Sequence, residues 1–178
     1  MHLWGTDFRR SSGDIRKQLC LPVEVRKQKL EELLAMGFKD IVYLWTCNRV
    51  EFYTTAEEYF SDTRPLWIKA LKVMGLSEDA YYHGYHFEGK SALRHLMRVA
   101  SSLESLMVGE PQILGQLKDA VQFVRENGLP LDGILERSFH LAFETAKKVR
   151  TDTKIAERPV SVATLGLHEL QHLECEYP

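Results

Sequence analysis

Two strand-forming runs that meet at a polar turn constrain this chain most. Asp40-Ile41-Val42-Tyr43-Leu44-Trp45 is apolar and rich in β-branched and aromatic residues, and Val50, Phe52 and Tyr53 resume that character after Thr46-Cys47-Asn48-Arg49. Runs of this kind joined by a short polar segment predict paired antiparallel strands. The turn also carries a thiol. A cysteine packed as a small apolar filler is the commonest outcome for this residue. One at a strand end can instead face a cleft, and Arg49 two residues later supplies a positive charge that favours the thiolate. Spacing alone leaves both readings open.

The flanking sequence places this pair of strands in a larger pattern. Leu3 to Phe8 forms a first strand, Arg9 to Gly13 a polar turn, and Asp14 to Gln18 a helical turn. Pro22 opens an amphipathic helix with Val25, Leu30, Leu33 and Leu34 inward and Arg26, Lys27, Lys29 and Glu32 outward, ended by Gly37. A second helix runs from Ser61 to Met74, with Leu66, Trp67, Ala70, Leu71 and Met74 on one face and Gly75 as its stop. Tyr81 to Phe87 reads as a fourth strand. Strand, helix, strand, strand, helix, strand predicts an α+β fold of ferredoxin type, an antiparallel sheet covered on one face. After Gly89 the period becomes helical throughout. Helices are expected over Lys90–Ser102, Glu110–Asn127 and Leu131–Arg150, the last a long one. Pro159 interrupts, and Val160 to Leu173 resumes helical spacing.

Composition excludes several classes. The 178 residues suffice for one ordinary domain, 44% are hydrophobic and 27% charged, and no run approaches the roughly 18 apolar residues of a membrane span. No signal peptide is read at Met1 to Asp7, so a cytoplasmic location is expected. Cys20, Cys47 and Cys175 are an odd number without CxxC spacing and read as free thiols. A net charge of −2 advertises no DNA partner, and any RNA contact is local. His168 and His172 stand four apart without a third ligand, so no metal site is expected.

Gly84 to Ser91 matches the phosphate-loop spacing GxxxxGK followed by Ser or Thr. That loop needs a buried parallel strand before it and a later strand ending in Asp for Mg²⁺. The chain offers neither, and bulky Tyr85, His86 and Phe87 fill the loop, so a nucleoside-triphosphatase is not expected. A GxGxxG fingerprint cannot occur, because no two of the eleven glycines stand two apart. His95 lies on the polar side of the Leu93/Leu96/Met97 stripe, where it is either a surface histidine or one facing a cleft. Glu110, Gln112 and Gln116 gather where a helix begins. They suit a zwitterionic amino acid, with Glu110 on the ammonium and the amides on oxygens, or else form a solvated cap around Pro111.

Taken together, Thr46-Cys47-Asn48-Arg49-Val50-Glu51-Phe52-Tyr53 and the stretch from His95-Leu96-Met97-Arg98-Val99-Ala100-Ser101-Ser102-Leu103-Glu104-Ser105 to Gly109-Glu110-Pro111-Gln112-Ile113-Leu114-Gly115-Gln116-Leu117-Lys118 resemble glutamyl-tRNA reductase. Lys148 to Thr153 and Ser161-Val162 extend the likeness. The resemblance implies that Cys47 attacks the ester of glutamyl-tRNA to give a thioester, which NADPH reduces to glutamate-1-semialdehyde in tetrapyrrole synthesis. It implies that His95 acts beside the thiol and that Thr46, Arg49, Ser105, Glu110, Gln112 and Gln116 hold the glutamyl group. Arg49 is matched to the side-chain carboxylate, while Asn48 and Glu51 are assigned to fixing the turn. It further implies a catalytic domain over residues 1–155, a helical linker over 156–178 toward a separate nicotinamide-binding domain, and a homodimer in the full-length family member. The chain departs from the family pattern at Gly5 to Gly13, which lacks the usual Asn and His, at Ser102, where a glycine is usual, and at Glu104, where an aspartate is usual. The alternative reading is a short, non-reducing relative that binds glutamyl-tRNA or a protein.

Overall fold

The computed structural model describes residues 1–55 and 63–156. The helical resumption expected over Val160–Leu173 lies outside the described residues, as do the first two residues of the helix expected from Ser61, and Cys175, His168 and His172.

Four strands, β1 (His2–Asp7), β2 (Val42–Trp45), β3 (Arg49–Thr54) and β4 (Tyr85–Glu88), form one sheet in the order β2-β3-β1-β4. All three pairings are antiparallel. The helices are α1 (Gly13–Gln18), α2 (Val23–Ala35), α3 (Arg64–Val73), α4 (Gly89–Ala100), α5 (Gln112–Glu126) and α6 (Gly133–Asp152). The α+β expectation and its ferredoxin-like order therefore hold. The fourth strand is shorter than its sequence suggests, because Glu78–His83 winds into a 3₁₀ turn before β4.

Register sorts the strands into two faces. Trp4, Val50, Phe52 and Tyr43 share one face, and Leu3, Gly5, Glu51, Tyr53, Leu44 and Tyr85 the other. The first face packs on Trp67 of α3 and on Phe38, with ring centroids of Trp4, Phe52 and Phe38 between 4.7 and 6.4 Å from Trp67. Aromatic clusters of this type add about 0.5–1.5 kcal/mol per pair beyond their burial.

The expectation of a sheet covered on one face does not hold. All six residues of β3 are buried. Phe139 of α6 packs edge-on against Tyr53, and His95 of α4 lies against Tyr85 and Phe87. The helical second half is thus the lid of the sheet's other face, not a separate layer. Its helices need an apolar surface to bury their stripes, and the sheet supplies one.

Smaller corrections concern helix faces. Val25 is 41% exposed, whereas Arg26 turns inward, donates to the Leu21 carbonyl and lies over the Tyr43 and Phe123 rings. A long guanidinium stem can cover apolar surface as well as a valine can. On α6, the apolar side chains of Ile134 and Leu141 are exposed, while Leu135, Phe139 and Ala142 are buried. The segment that matched a phosphate loop is β4 itself, paired with β1 at the sheet edge and running into α4. No loop is left to cradle a phosphate. Among the described residues no helix is long and apolar enough to cross a membrane.

Candidate active site

The turn joining β2 to β3 is built by Thr46. Its buried Oγ1 accepts the amide hydrogens of Asn48 and Arg49, at 3.1 and 3.0 Å, and its own amide donates to the Arg49 carbonyl at 2.9 Å. This closes the chain tightly and leaves Cys47 exposed at the apex. The turn is held from outside as well. Phe8 donates its amide to the Asn48 carbonyl at 2.9 Å, and Arg16 donates through Nε to the Cys47 carbonyl at 3.2 Å and through Nη1 to the Ser11 carbonyl. The backbone of Cys47 is therefore fixed from two sides while its side chain faces solvent.

Beneath the turn lies a buried ionic cluster centred on Glu51. Its carboxylate accepts from Arg49 Nη1 at 2.8 Å, from His95 Nε2 at 2.7 Å, and from the Tyr53 and Tyr85 hydroxyls. The Arg49 and Glu51 side chains are only 2% and 0% exposed. Burial by itself pushes the Glu51 carboxyl up, but Arg49, His95 and the hydrogen-bonded hydroxyls outweigh it and hold the group well below the usual carboxylate range. Glu51 is thus ionised, and burial beside it raises both tyrosine hydroxyls well above their ordinary values, so they remain donors. Facing an ionised carboxylate, His95 Nε2 must carry a hydrogen, which leaves Nδ1 as the nitrogen able to take a proton.

Gly5 makes the cluster possible. It stands directly opposite Glu51, and a Cβ there would come within 2.7 Å of Glu51 Cγ and 3.1 Å of the Tyr85 ring. Only the missing side chain admits the carboxylate and the phenol together.

The expected site residues are distributed unevenly around this centre. Arg49 does not face the thiol as a free charge: Glu51 neutralises it, and its Nη2 donates to the Glu104 carbonyl. His95, expected on the polar side of its helix, turns into the sheet, and its hydrogen bond goes to Glu51. Ser105 is buried in the loop after α4. Gln112 opens α5 and is exposed. Glu110 is half-buried, and its carbonyl accepts from Ser102 Oγ and from Arg150 at 3.1 Å, which ties that stretch to α6. Gln116 lines a groove of about 390 Å³ with Arg26, Tyr43, Trp45, Asp119 and Phe123. Trp45 brings this groove to within two residues of Cys47. Gln116 is the helix-start residue that shares this groove with Trp45.

Glu51 is what the sequence reading missed, having assigned it to the turn. The signal was the two-residue period of β3, which sets Arg49, Glu51 and Tyr53 on one face. Glu104, noted in the sequence only as a departure from the family pattern, pairs with Arg98 at 2.5 Å and with Arg9 at 3.2 Å, joining α4 to the segment after β1.

Comparison with known proteins adds a second line. The family described as glutamyl-tRNAGlu reductase, N-terminal domain, matches residues 4–153. Glutamyl-tRNA reductase of Pseudomonas syringae pv. syringae is 40% identical over 163 residues, covering 89% of this chain, and that of Pseudomonas fluorescens (strain Pf0-1) is 39% identical over the same length. The chain spans only 37% of either relative. Among solved structures, glutamyl-tRNA reductase from Methanopyrus kandleri superposes with a TM-score of 0.74 at 27% identity, over 96% of this chain and 39% of that one.

Proposed function

The chain belongs to the glutamyl-tRNA reductase N-terminal-domain family, and on that premise we propose that it accepts the glutamyl group of glutamyl-tRNA on Cys47. One observation carries the reading: an exposed thiol on a turn whose backbone is clamped by Thr46, Phe8 and Arg16. Such a thiol can be approached by a bulky ester, and the clamped turn costs it little reorganisation.

In the proposed step the thiolate adds to the ester carbonyl. The new S–C bond forms, the bond to the terminal ribose oxygen breaks, and that oxygen takes a proton as the tRNA leaves. Cys47 is left as a thioester. His95 serves as the proton-handling group through Nδ1, with Glu51 fixing its tautomer. Arg49 is assigned the glutamyl side-chain carboxylate, a contact that requires its Nη2 to exchange the Glu104 carbonyl for the ligand while Nη1 stays on Glu51. Thr46 shapes the turn, Ser105 packs the loop beside it, and Glu110, Gln112 and Gln116 meet the rest of the glutamyl moiety.

NADPH does not fit these residues. The sheet is antiparallel throughout, so the described residues contain no crevice at the carboxyl ends of parallel strands, and the sequence has no glycine fingerprint. In this reading residues 156–178 lead toward a separate nicotinamide-binding domain, and the full-length protein pairs as a homodimer.

The test is acyl transfer. Glutamyl-tRNA carrying radiolabelled glutamate, incubated with the chain, should label the protein in a hydroxylamine-sensitive bond and release free glutamate slowly by hydrolysis. Cys47→Ser, nearly isosteric, should do neither. Equal labelling or deacylation by both proteins would leave a non-catalytic glutamyl-tRNA-binding module as the better account.

A further inference from the structure

The sheet holds a second polar cluster at its other end. β1 runs from His2, beside the end of β3 at Thr54, to Asp7, beside Arg49 and the Cys47 turn. Five residue steps of strand separate the two by about 17 Å. His2 lies directly opposite Glu88, and His86 two residues back along β4 shares their face. The three offer ligand atoms that all lie within 4.8 Å of one another.

The distances decide between two descriptions. His2 Nδ1 is 3.3 Å from Glu88 Oε1, and His86 Nε2 is 3.5 Å from the same oxygen. A charge-assisted hydrogen bond prefers about 2.7–2.9 Å. Two ligands on one tetrahedral zinc, each about 2.0–2.2 Å from it, stand roughly 3.3–3.5 Å apart. Two further features favour a cation. His2 Nδ1 is buried, and its contact with Glu88 Oε1 at 3.3 Å lacks hydrogen-bond geometry, a costly state for an imidazole nitrogen unless something better occupies its lone pair. The Tyr81 hydroxyl sits 3.3 Å from His86 Nδ1, the outer partner that a metal-bound histidine almost always has, and it leaves Nε2 facing inward.

We propose that His2, His86 and Glu88 form a site for one divalent cation of the zinc class, joining the start of β1 to the end of β4. Thr63 marks the fourth vertex. Its Oγ1 is 3.1 Å from His86 Nε2 and 3.3 Å from Glu88 Oε1, placed to hold a bound water. Glu88 is 53% exposed, which gives the ion a way in. At the far end of the sheet from Cys47, such an ion fastens the edge strand β4 and the residue before α3 without touching the proposed acyl transfer.

Cobalt titration of the untagged chain, with its thiols alkylated, reads the site by absorption. The expected result is one Co²⁺ per chain with the intense visible bands of a tetrahedral complex, displaced by Zn²⁺. His2→Ala, His86→Ala and Glu88→Gln should each abolish the bands, and Tyr81→Phe should weaken binding by ~10-fold or more. Glu88→Gln preserves size at a half-exposed position, and an unchanged circular dichroism spectrum checks its fold. Absence of a one-to-one complex would overturn the proposal. So would tetrahedral bands that survive His86→Ala, or binding that disappears once the thiols are blocked.

Discussion

Replacing Glu51 by glutamine tests whether the buried cluster under the cysteine turn behaves as its geometry requires. The substitution keeps volume and removes the charge, so Arg49, 2% exposed, is left without a counter-ion. Removing one partner of a buried pair costs about 3–5 kcal/mol, against about 0–1 kcal/mol for an exposed pair. Two tyrosine hydroxyls and His95 Nε2 also point at the same carboxylate, which argues for the upper half of that range. For a chain of this length each kcal/mol shifts the midpoint by about 2–4 °C, so about 4–5 kcal/mol should lower Tm by roughly 8–20 °C. The pH dependence has a defined sign. The folded Glu51 carboxyl is depressed below its unfolded value, so its stabilisation is complete above the ordinary value of about 4.3 and is lost as pH falls from there through the folded value. Wild type should lose stability in that acid window, and Glu51→Gln should lose less there. Thermal unfolding followed by circular dichroism over the acid range supplies both readings. Arg49→Met combined with Glu51→Gln removes the orphaned charge and should recover part of the loss. A cost under about 1 kcal/mol for Glu51→Gln would refute the reasoning. So would a double variant no more stable than the single one.

Two other outcomes follow from local geometry. Ser102, with φ of 61°, is the one non-glycine residue in the left-handed region among the described residues, and its hydroxyl donates to the Glu110 carbonyl. Ser102→Gly relieves about 1 kcal/mol of strain and loses about as much hydrogen bonding, so urea unfolding should place it within about 1 kcal/mol of wild type; Ser102→Ala keeps the strain, loses the bond and should fall by about 1–2 kcal/mol. Limiting iodoacetamide with peptide mass mapping should modify exposed Cys47 ahead of half-buried Cys20, and faster labelling of Cys20 would count against Cys47 as the acyl acceptor.

Much of this molecule was written locally. The run Asp40–Trp45, the polar turn and Val50–Tyr53 dictated a hairpin, because strand propensity and a short turn act between neighbours. Helical periods around it set the βαββαβ order, and Gly89 marked the change to helix. The same locality put Cys47 at a turn. What no local pattern could convey was the meaning of the Arg49, Glu51 and Tyr53 face. Alternation says that β3 has two unlike faces, and a charged one reads as solvent-facing by default. Only the docking of α4 and α6 on that face buries it, and burial then requires partners. His95 is 44 residues from Glu51 and Tyr85 is 34. Such a meeting depends on two elements packing on one sheet, so neighbouring residues cannot encode it. Tertiary structure alone therefore decided that Arg49 answers to Glu51 and that His95 turns inward. It also decided that the glycine at position 5 exists to make room for a carboxylate.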